Sequence, residues 1–197
     1  MIDYTNLKPE ATTSDIETLC LKALEKRFFA VCVASKFVPF AYSLLKNSSV
    51  KVCAVVGFPH GNQATEVKAF EARFAVSQGA AEIDMVISLG EAKAGNWDAV
   101  EADIRAVCEA TRVPVKAILE TCLLTDEEVV KGCETAIKGG AAFVKTSTGF
   151  SLKGADLETV RLMKSVVGER AGIKASGGIR TQEQIMAFLG AGATRIG

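Results

Sequence analysis

Short β-rich runs alternate with longer amphipathic runs along the whole of this 197-residue chain. Runs rich in β-branched residues predict strands, and apolar residues at helical spacing predict helices between them. The predicted strands cover residues 2–6, 29–34, 50–56, 81–87, 113–119, 142–146, 173–176 and 194–196. The predicted helices cover residues 14–26, 37–45, 65–78, 97–110, 126–138, 157–166 and 181–189. Strict alternation of this kind predicts parallel strands joined by right-handed crossovers.

Eight strands with helices between them close most naturally into a (β/α)8 barrel, the TIM-barrel fold. No proline-rich, serine-rich or low-complexity stretch divides the chain, so residues 1–197 are predicted to form one domain. A doubly wound open sheet is the alternative that the same pattern permits. In a barrel, functional side chains lie at the carboxyl ends of the strands or in the loops that follow them.

Several residues are suited to the ends of the predicted helices. A hydroxyl at an N-cap accepts a hydrogen bond from a free backbone N–H group, and glycine favours the turn that ends a helix. The predicted N-caps are Ser14, Thr125 and Thr181, and the predicted helix stops are Gly79, Gly139 and Gly190.

Composition excludes several classes of partner. The chain has 23 basic and 23 acidic residues, so no net charge attracts it to nucleic acid or to an anionic membrane. Its amino terminus lacks a basic region followed by an apolar core, and no apolar run approaches the roughly 18 residues of a membrane span. The six cysteines have no metal-ligand spacing and are interpreted as free thiols. We therefore expect a cytoplasmic protein without nucleic-acid or membrane partners.

Four ionisable residues stand inside consecutive apolar strand runs: Asp84, Lys116, Lys145 and Lys174. Outward positions of barrel strands pack beneath helices, so these charges are expected to point into the barrel and converge. Two lysines on successive strands repel each other, which lowers the pKa of one of them. A neutral amine of this kind is nucleophilic near neutral pH, so the pattern indicates Schiff-base chemistry. Lys116 is interpreted mainly as a structural partner.

Four motifs occur in order along the chain: GFPHG (57–61), EIDMVI (82–87), VKTSTGF (144–150) and GIKASGGIR (172–180). Together they resemble the deoxyribose-phosphate aldolase family, and the likeness runs from Ile2 to Gly197. The resemblance implies a (β/α)8 barrel and a cytosolic class I aldolase of deoxynucleotide breakdown, with no metal and no organic cofactor. It implies reversible cleavage of 2-deoxy-D-ribose 5-phosphate to D-glyceraldehyde 3-phosphate and acetaldehyde. We also expect a homo-oligomer, most simply a dimer.

The same resemblance assigns catalytic roles by position in the motifs. Lys145 resembles the Schiff-base lysine, Lys174 the second lysine that acts on it, and Asp84 the proton-relay carboxylate. Cleavage of a carbon–carbon bond beside a carbonyl needs an electron sink, and a protonated imine on Lys145 supplies one. Two alternatives stay open, namely another Schiff-base sugar-phosphate aldolase or transaldolase, and a phosphosugar-binding barrel without catalysis.

The phosphate end is predicted in the loops that follow the sixth and seventh strands. Adjacent glycines let backbone N–H groups approach an anion, and the start of the next helix adds a favourable dipole. An arginine side chain would add a bidentate contact. The predicted substrate-binding residues are Thr148, Gly149, Gly177, Gly178, Arg180 and Cys32, the last of which either lines the cavity or packs in the core.

Two features depart from the family pattern. Tyr4 and Asn6 stand in the first strand, where relatives usually have a histidine and leucines, which puts part of the cavity wall in question. The chain ends at Gly197, whereas relatives continue through a serine-bearing loop that helps to hold phosphate and then a final helix. We expect either that the chain is part of a longer protein or that another subunit covers this end.

Overall fold

The computed structural model describes all 197 residues and contains one eight-stranded sheet, with its strands in sequence order. The strands are β1 Asp3–Thr5, β2 Ala30–Val33, β3 Lys51–Val56, β4 Glu82–Val86, β5 Val115–Ile118, β6 Phe143–Lys145, β7 Gly172–Ala175 and β8 Arg195–Ile196. A parallel bridge between Ile2 and Ile196 joins the two edges, and the N–H of Ile196 donates to the carbonyl oxygen of Met1 at 3.0 Å. The sheet closes on itself there, which confirms the predicted (β/α)8 barrel and excludes the open sheet.

Eight helices surround the strands: α1 Thr13–Glu25, α2 Val38–Leu45, α3 Thr65–Ser77, α4 Leu89–Lys93, α5 Trp97–Ala110, α6 Asp126–Lys138, α7 Leu157–Val167 and α8 Gln182–Gly190. All of them except α4 correspond to predicted helices. Neither α4 nor the 3₁₀ turns at Ser35–Phe37 and Thr121–Leu123 is predicted, because each is too short to show a helical repeat. None of the eight helices combines the length and apolar character required to cross a lipid bilayer.

Helix α1 begins at a different cap from the predicted one. Thr12, and not Ser14, is the N-cap, because its hydroxyl oxygen accepts the N–H of Asp15 at 3.3 Å. The carboxylate of Asp15 in turn accepts the N–H of Thr12 at 2.8 Å. This reciprocal capping box satisfies two N–H groups, which Ser14 cannot do from inside the first turn. Thr125 and Thr181 cap α6 and α8 in the same way, as predicted.

The predicted helix stops lie at or next to the observed helix ends. Gly79 directly follows the C-cap of α3 with φ of 110°, a left-handed conformation that favours glycine. Gly139 is the C-cap of α6, and Gly190 is the last residue of α8. Glycine therefore marks all three ends, although only Gly79 has the left-handed conformation.

The apolar core lies between the strands and the helices, while the barrel interior is charged. Ile83, Met85 and Val144 belong to the apolar core, and Asp84 and Lys145 alternate with them along β4 and β6. Side chains of a strand alternate between its faces, so these charged residues point into the barrel. Both are buried, which identifies the barrel interior as the candidate site.

Candidate active site

Four strands bring the four predicted ionisable side chains to one point inside the barrel. Asp84 in β4 is the register partner of Lys116 in β5, and Lys145 in β6 is the partner of Lys174 in β7. Asp84 Oδ1 lies 2.7 Å from Lys116 Nζ, and Asp84 Oδ2 lies 2.8 Å from Nζ of both Lys145 and Lys174. Because they share one oxygen, the last two nitrogens are immediate neighbours. The predicted convergence of these charges is confirmed.

Three further charged residues complete this buried charge cluster: Asp3, Glu82 and Arg195. Asp3 Oδ2 lies 2.6 Å from Lys174 Nζ, and Glu82 Oε2 lies 2.7 Å from Lys116 Nζ. Arg195 Nη1 lies 2.8 Å from a carboxylate oxygen of both Asp3 and Glu82. Glu82 could have been found from the sequence, because it precedes the predicted aspartate by two residues and so shares its face. Asp3 and Arg195 lie in strands of 3 and 2 residues, which are too short for alternation to reveal a face.

In the charge cluster, neighbouring charges determine the direction of the pKa shifts more than desolvation does. Burial alone would raise the pKa of Asp84, but the ammonium groups of Lys116, Lys145 and Lys174 lower it well below its usual value. Burial alone would lower the pKa of Lys174, but the carboxylates of Asp84 and Asp3 raise it above its usual value. The same opposition, with Asp84 as the main anion, raises the pKa of Lys116. Asp84 is therefore ionised at neutral pH, while Lys116 and Lys174 are protonated.

The charge cluster is not balanced when every group is ionised. Its ion pairs link four cations to three carboxylates, which leaves one surplus positive charge in a buried volume. Lys145 contacts a single carboxylate, whereas each of the other three cations contacts at least two. Lys145 is thus the cation of the cluster with the fewest ionic contacts, and it lies beside the protonated Lys174.

A cavity of about 620 Å³ opens above the charge cluster, a volume suited to a small molecule. Lys145 and Lys174 are the members of the charge cluster that line it. The cavity is also lined by predicted substrate-binding residues, namely Thr148, Gly149, Gly177, Gly178 and Arg180. Asp84 lies directly beneath both lysines and is fully buried. The structure therefore brings these predicted site residues together, with Cys32 as the exception.

The loop after β7 exposes its backbone to the cavity. Gly177 and Gly178 have φ of 89° and 81°, in the left-handed region that glycine tolerates. A Cβ on Gly177 would lie 2.8 Å from the Cα of Gly154, so the loops after β6 and β7 could not pack this closely around a larger residue. A Cβ on Gly178 would meet nothing within 4 Å, so its backbone borders open space. Helix α8 begins shortly after this glycine pair, capped by Thr181.

Cys32 does not line the cavity. It is fully buried in β2 beside its register partner Cys53 in β3, so core packing describes its position. Donor atoms of Cys32, Cys53 and Asp84 lie within 4.8 Å of one another, which is close enough to share a metal ion. The surroundings do not fit a metal ion, because Lys116 Nζ lies 2.7 Å from Asp84 Oδ1 and 3.4 Å from Cys53 Sγ. That ammonium group would repel a second cation at the same donors.

The two departures from the family pattern, Tyr4 in β1 and Asn6 directly after it, lie in the cavity wall. The ring of Tyr4 packs against that of Phe28, with centroids 5.2 Å apart, and Asn6 Oδ1 accepts the N–H of Lys8 at 3.3 Å. Tyr4, Asn6 and Lys8 all line the cavity. Asp3 precedes Tyr4 and points into the barrel, where it binds Lys174. The charge cluster is therefore unaffected by these residues.

Comparison with known proteins agrees with this geometry. Residues 1–194 match the family model described as DeoC/LacD family aldolase. The chain is 55% identical over 202 residues to a Carboxydothermus hydrogenoformans protein named deoxyribose-phosphate aldolase, with 100% of this chain and 89% of that protein covered. It is 54% identical to a Deinococcus radiodurans protein of the same name, with 100% and 90% covered.

Two solved structures share the fold and much of the sequence. An aldolase called QR15 has a TM-score of 0.96 and 43% identity, with 99% of this chain and 88% of that chain covered. The tetrameric deoxyribose phosphate aldolase of Aeropyrum pernix has a TM-score of 0.93 and 34% identity, with 100% and 84% covered. The structural likeness thus extends over nearly the whole chain.

Proposed function

The chain belongs to the DeoC/LacD family of aldolases, and we propose that it is a class I deoxyribose-phosphate aldolase. It reversibly cleaves 2-deoxy-D-ribose 5-phosphate to D-glyceraldehyde 3-phosphate and acetaldehyde through a lysine Schiff base. One observation carries the proposal. The Lys145 amine opens onto the cavity while it shares an oxygen of Asp84 with the cationic Lys174.

Lys145 forms the covalent intermediate. Its neutral amine adds to the C1 aldehyde of the open-chain sugar, and the carbinolamine loses water to give an iminium ion. The iminium accepts the electron pair of the C2–C3 bond as that bond breaks, the C3 hydroxyl loses its proton, and D-glyceraldehyde 3-phosphate leaves. The remaining enamine takes up a proton at C2. Addition of water then releases acetaldehyde and the free lysine.

Asp84 and Lys174 prepare the amine for attack and handle its protons. The fixed charge of Lys174 repels a second ammonium group at this short range, which favours the neutral form of Lys145. Asp84 Oδ2 lies 2.8 Å from Lys145 Nζ, so it can accept a hydrogen bond from the amine, the carbinolamine and the iminium ion. We assign proton transfer at the carbinolamine and the enamine to this pair.

We assign the phosphate group of the substrate to the far side of the same cavity. The backbone around Gly149, Gly177 and Gly178 borders this space, and Arg180 adds a cation there. Backbone N–H groups near a helix start favour an anion, and the guanidinium group gives a directional contact. The lysines and the phosphate-binding loops would therefore hold opposite ends of one sugar phosphate.

The relatives' names favour this reaction over the two alternatives. A transaldolase or another sugar-phosphate aldolase would use the same lysine chemistry, but both curated relatives are named deoxyribose-phosphate aldolase. A barrel that only binds phosphosugars gains nothing from an amine held at a buried charge cluster, because burying charges is costly.

Two further parts of the proposal concern the setting of the enzyme. We propose a homo-oligomer, supported by the tetrameric structure of the Aeropyrum pernix relative. We also propose a cytoplasmic location, because all six cysteines are free thiols, as expected in a reducing compartment.

Trapping the covalent intermediate tests the proposed function. Incubation with acetaldehyde and borohydride should add an ethyl group to Lys145, located by mass spectrometry of peptides. Lys145→Leu should abolish the adduct and lower cleavage of 2-deoxyribose 5-phosphate roughly a thousandfold or more. Lys131→Leu is the matched control, because Lys131 is exposed on α6 and should behave like the wild type. Full activity of the Lys145→Leu variant would contradict the assignment.

A further inference from the structure

Glu120 is a buried carboxylate that the proposed mechanism does not use. It lies two residues after the end of β5 and is 2% exposed. Its φ of 52° and ψ of 58° are left-handed, which is uncommon for a residue with a side chain. Both of its oxygens accept hydrogen bonds from Thr148, which is a neutral residue, and not from a cation. A buried carboxyl group and a strained backbone at one residue need a compensating role.

The left-handed conformation of Glu120 belongs to a bulge between β5 and β6. The N–H of Leu119 donates to the carbonyl oxygen of Lys145, and the N–H of Thr121 donates to that of Thr146, both at 2.9 Å. The donors are two residues apart, whereas the acceptors are consecutive. The β5 side therefore contains one extra residue, as in a β-bulge. That extra residue is Glu120, and the bulge directs its side chain towards the chain that leaves β6.

The carboxylate of Glu120 fixes Thr148 through both of that residue's donors. The N–H of Thr148 lies 3.2 Å from Oε1 and 3.3 Å from Oε2, and its hydroxyl donates to Oε2. The same hydroxyl oxygen accepts the N–H of Phe150 at 3.0 Å. The turn 148–150 is thus held at both ends, with Gly149 between them at φ of 85°. All three residues of this turn line the cavity.

We propose that Glu120 is a positioning residue, which acts through Thr148 to hold the turn 148–150 against the phosphate group of the substrate. The inference rests on the proposed function, because that function supplies a phosphorylated substrate. Lys145 lies in β6 and is fixed by strand pairing on both sides, so the effect should fall on the phosphate end and not on the amine. The side chain must be a carboxylate, because a glutamine would turn one N–H donor towards the N–H donor of Thr148.

A comparison of two substrates tests this role. Glu120→Gln should raise KM for 2-deoxyribose 5-phosphate roughly tenfold, the loss expected for weakened hydrogen bonds to a charged group. Its kcat/KM for unphosphorylated 2-deoxyribose should stay within about twofold of wild type, and Lys145 should still be trapped by borohydride. Glu109→Gln is the matched control, since Glu109 is exposed on α5. An equal loss for both substrates, or an unchanged KM, would overturn the inference.

Variants of Thr148 test the same contact from the other side, and they do so even when Glu120→Gln fails to fold. Thr148→Ser keeps the hydroxyl and should raise KM for 2-deoxyribose 5-phosphate less than Thr148→Val, which removes it. The double variant Glu120→Gln/Thr148→Val should lose less than the product of the two single losses, because both changes act on the same Glu120–Thr148 contact and only Thr148→Val also removes the bond from the N–H of Phe150. If the fold-increase in KM of the double variant equals the product of the two single increases, the two residues act independently and the proposal is refuted.

The two proposals can fail separately. If the wild type forms no lysine adduct and cleaves no sugar phosphate, the proposed function is wrong. Inorganic phosphate, titrated by calorimetry, then still tests the positioning role. Glu120→Gln should weaken its binding and Glu109→Gln should not, and equal binding by both variants would count against Glu120.

Discussion

At the scale of single residues, Lys145 and Lys174 differ in their partners. Both are buried lysines that lie opposite each other on neighbouring strands. Lys174 contacts Asp84 and Asp3, whereas Lys145 contacts Asp84 alone. The sequence motifs separate the two roles only by resemblance to a family. The number of carboxylate partners supplies the physical reason, because the lysine with fewer anions loses least when it becomes neutral.

Removing the charge of Lys174 should change the pH dependence of the reaction. In Lys174→Leu, Asp84 loses one cationic partner, and the fixed charge that shares Asp84 Oδ2 with the attacking amine no longer repels its proton. We expect the acidic limb of the kcat/KM profile to move to higher pH and activity at neutral pH to fall. Rates measured across a pH series, with Lys131→Leu as the control, check this. If the acidic limb of the kcat/KM profile of Lys174→Leu stays at its wild-type pH, the assigned role of Lys174 is wrong.

Asp84 should make the fold sensitive to acid. Its pKa in the folded protein lies well below the unfolded value of about 3.9, so its ionisation stabilises the fold above that value. This stabilisation is lost as the pH falls through the lower folded-state pKa. Asp84→Asn should lower the free energy of unfolding at neutral pH by about 3–5 kcal/mol, because three buried ammonium groups lose their common anion.

Urea unfolding at several pH values measures this effect. Below about pH 4, the stability of Asp84→Asn should fall less with decreasing pH than that of the wild type, because one acid-sensitive group is missing. The exposed Asp98 offers a control, and Asp98→Asn should follow the wild-type curve. Parallel curves for Asp84→Asn and the wild type would show that Asp84 does not supply the acid sensitivity.

At the scale of strands and helices, local pattern predicts the elements well and their short connections poorly. Strands β4 and β6 are recognisable because apolar residues bracket one buried charge, and helices such as α6 have a full amphipathic repeat. Helix α4 has only 5 residues and no repeat to detect. Thr12, Thr13 and Ser14 are consecutive hydroxyl residues at the start of α1, and only the reciprocal contact with Asp15 distinguishes Thr12 as the cap.

The residues of the candidate site also divide into those that the local sequence pattern predicts and those that it does not. The lysines and Asp84 are predictable because charges inside apolar strand runs point into a barrel. Arg195 and Asp3 are missed because their pairing spans 192 positions of sequence and their strands are short. Glu120 is missed for another reason. It lies one residue beyond the predicted strand 113–119, in a connection whose extra residue only the hydrogen bonds between the β5 and β6 segments reveal.

Two matching capping boxes allow an element-scale prediction. Thr125→Ala and Thr181→Ala should each cost about 1 kcal/mol, or roughly 2–4 °C in Tm for a chain of this size. Only Thr181→Ala should also raise KM for 2-deoxyribose 5-phosphate, because α8 begins beside Gly178 and Arg180 in the cavity wall. Thermal unfolding and initial rates measure the two effects. If the two variants have the same KM, the start of α8 does not contribute to phosphate binding.

At the scale of the whole molecule, helix α3 exposes its large apolar side chains to solvent and buries its small ones. Small alanines (69, 72 and 75) face the barrel, whereas large apolar side chains face outward. Val67, Phe70 and Phe74 are 54%, 64% and 43% exposed, and they lie on one face of the helix. Tyr42 of α2, which is 45% exposed, packs beside Gly79 at the end of α3. Large apolar side chains exposed together on one helix face are typical of an interaction site, and we expect this face to bind a second copy of the chain.

Charged substitutions on α3 should therefore dissociate the protein. The wild type should have a solution mass at least twice the 20.8 kDa of one chain, measured by light scattering after size-exclusion chromatography. Phe70→Glu should cost about 2 kcal/mol or more of association energy, because a charge replaces an aromatic side chain at the predicted interface, and this raises the dissociation constant roughly thirtyfold. Met186→Glu is the matched control, because Met186 is 61% exposed on α8 and lies away from α3. A wild type of monomer mass, or dissociation by Met186→Glu and not by Phe70→Glu, would mean that α3 is not the interface.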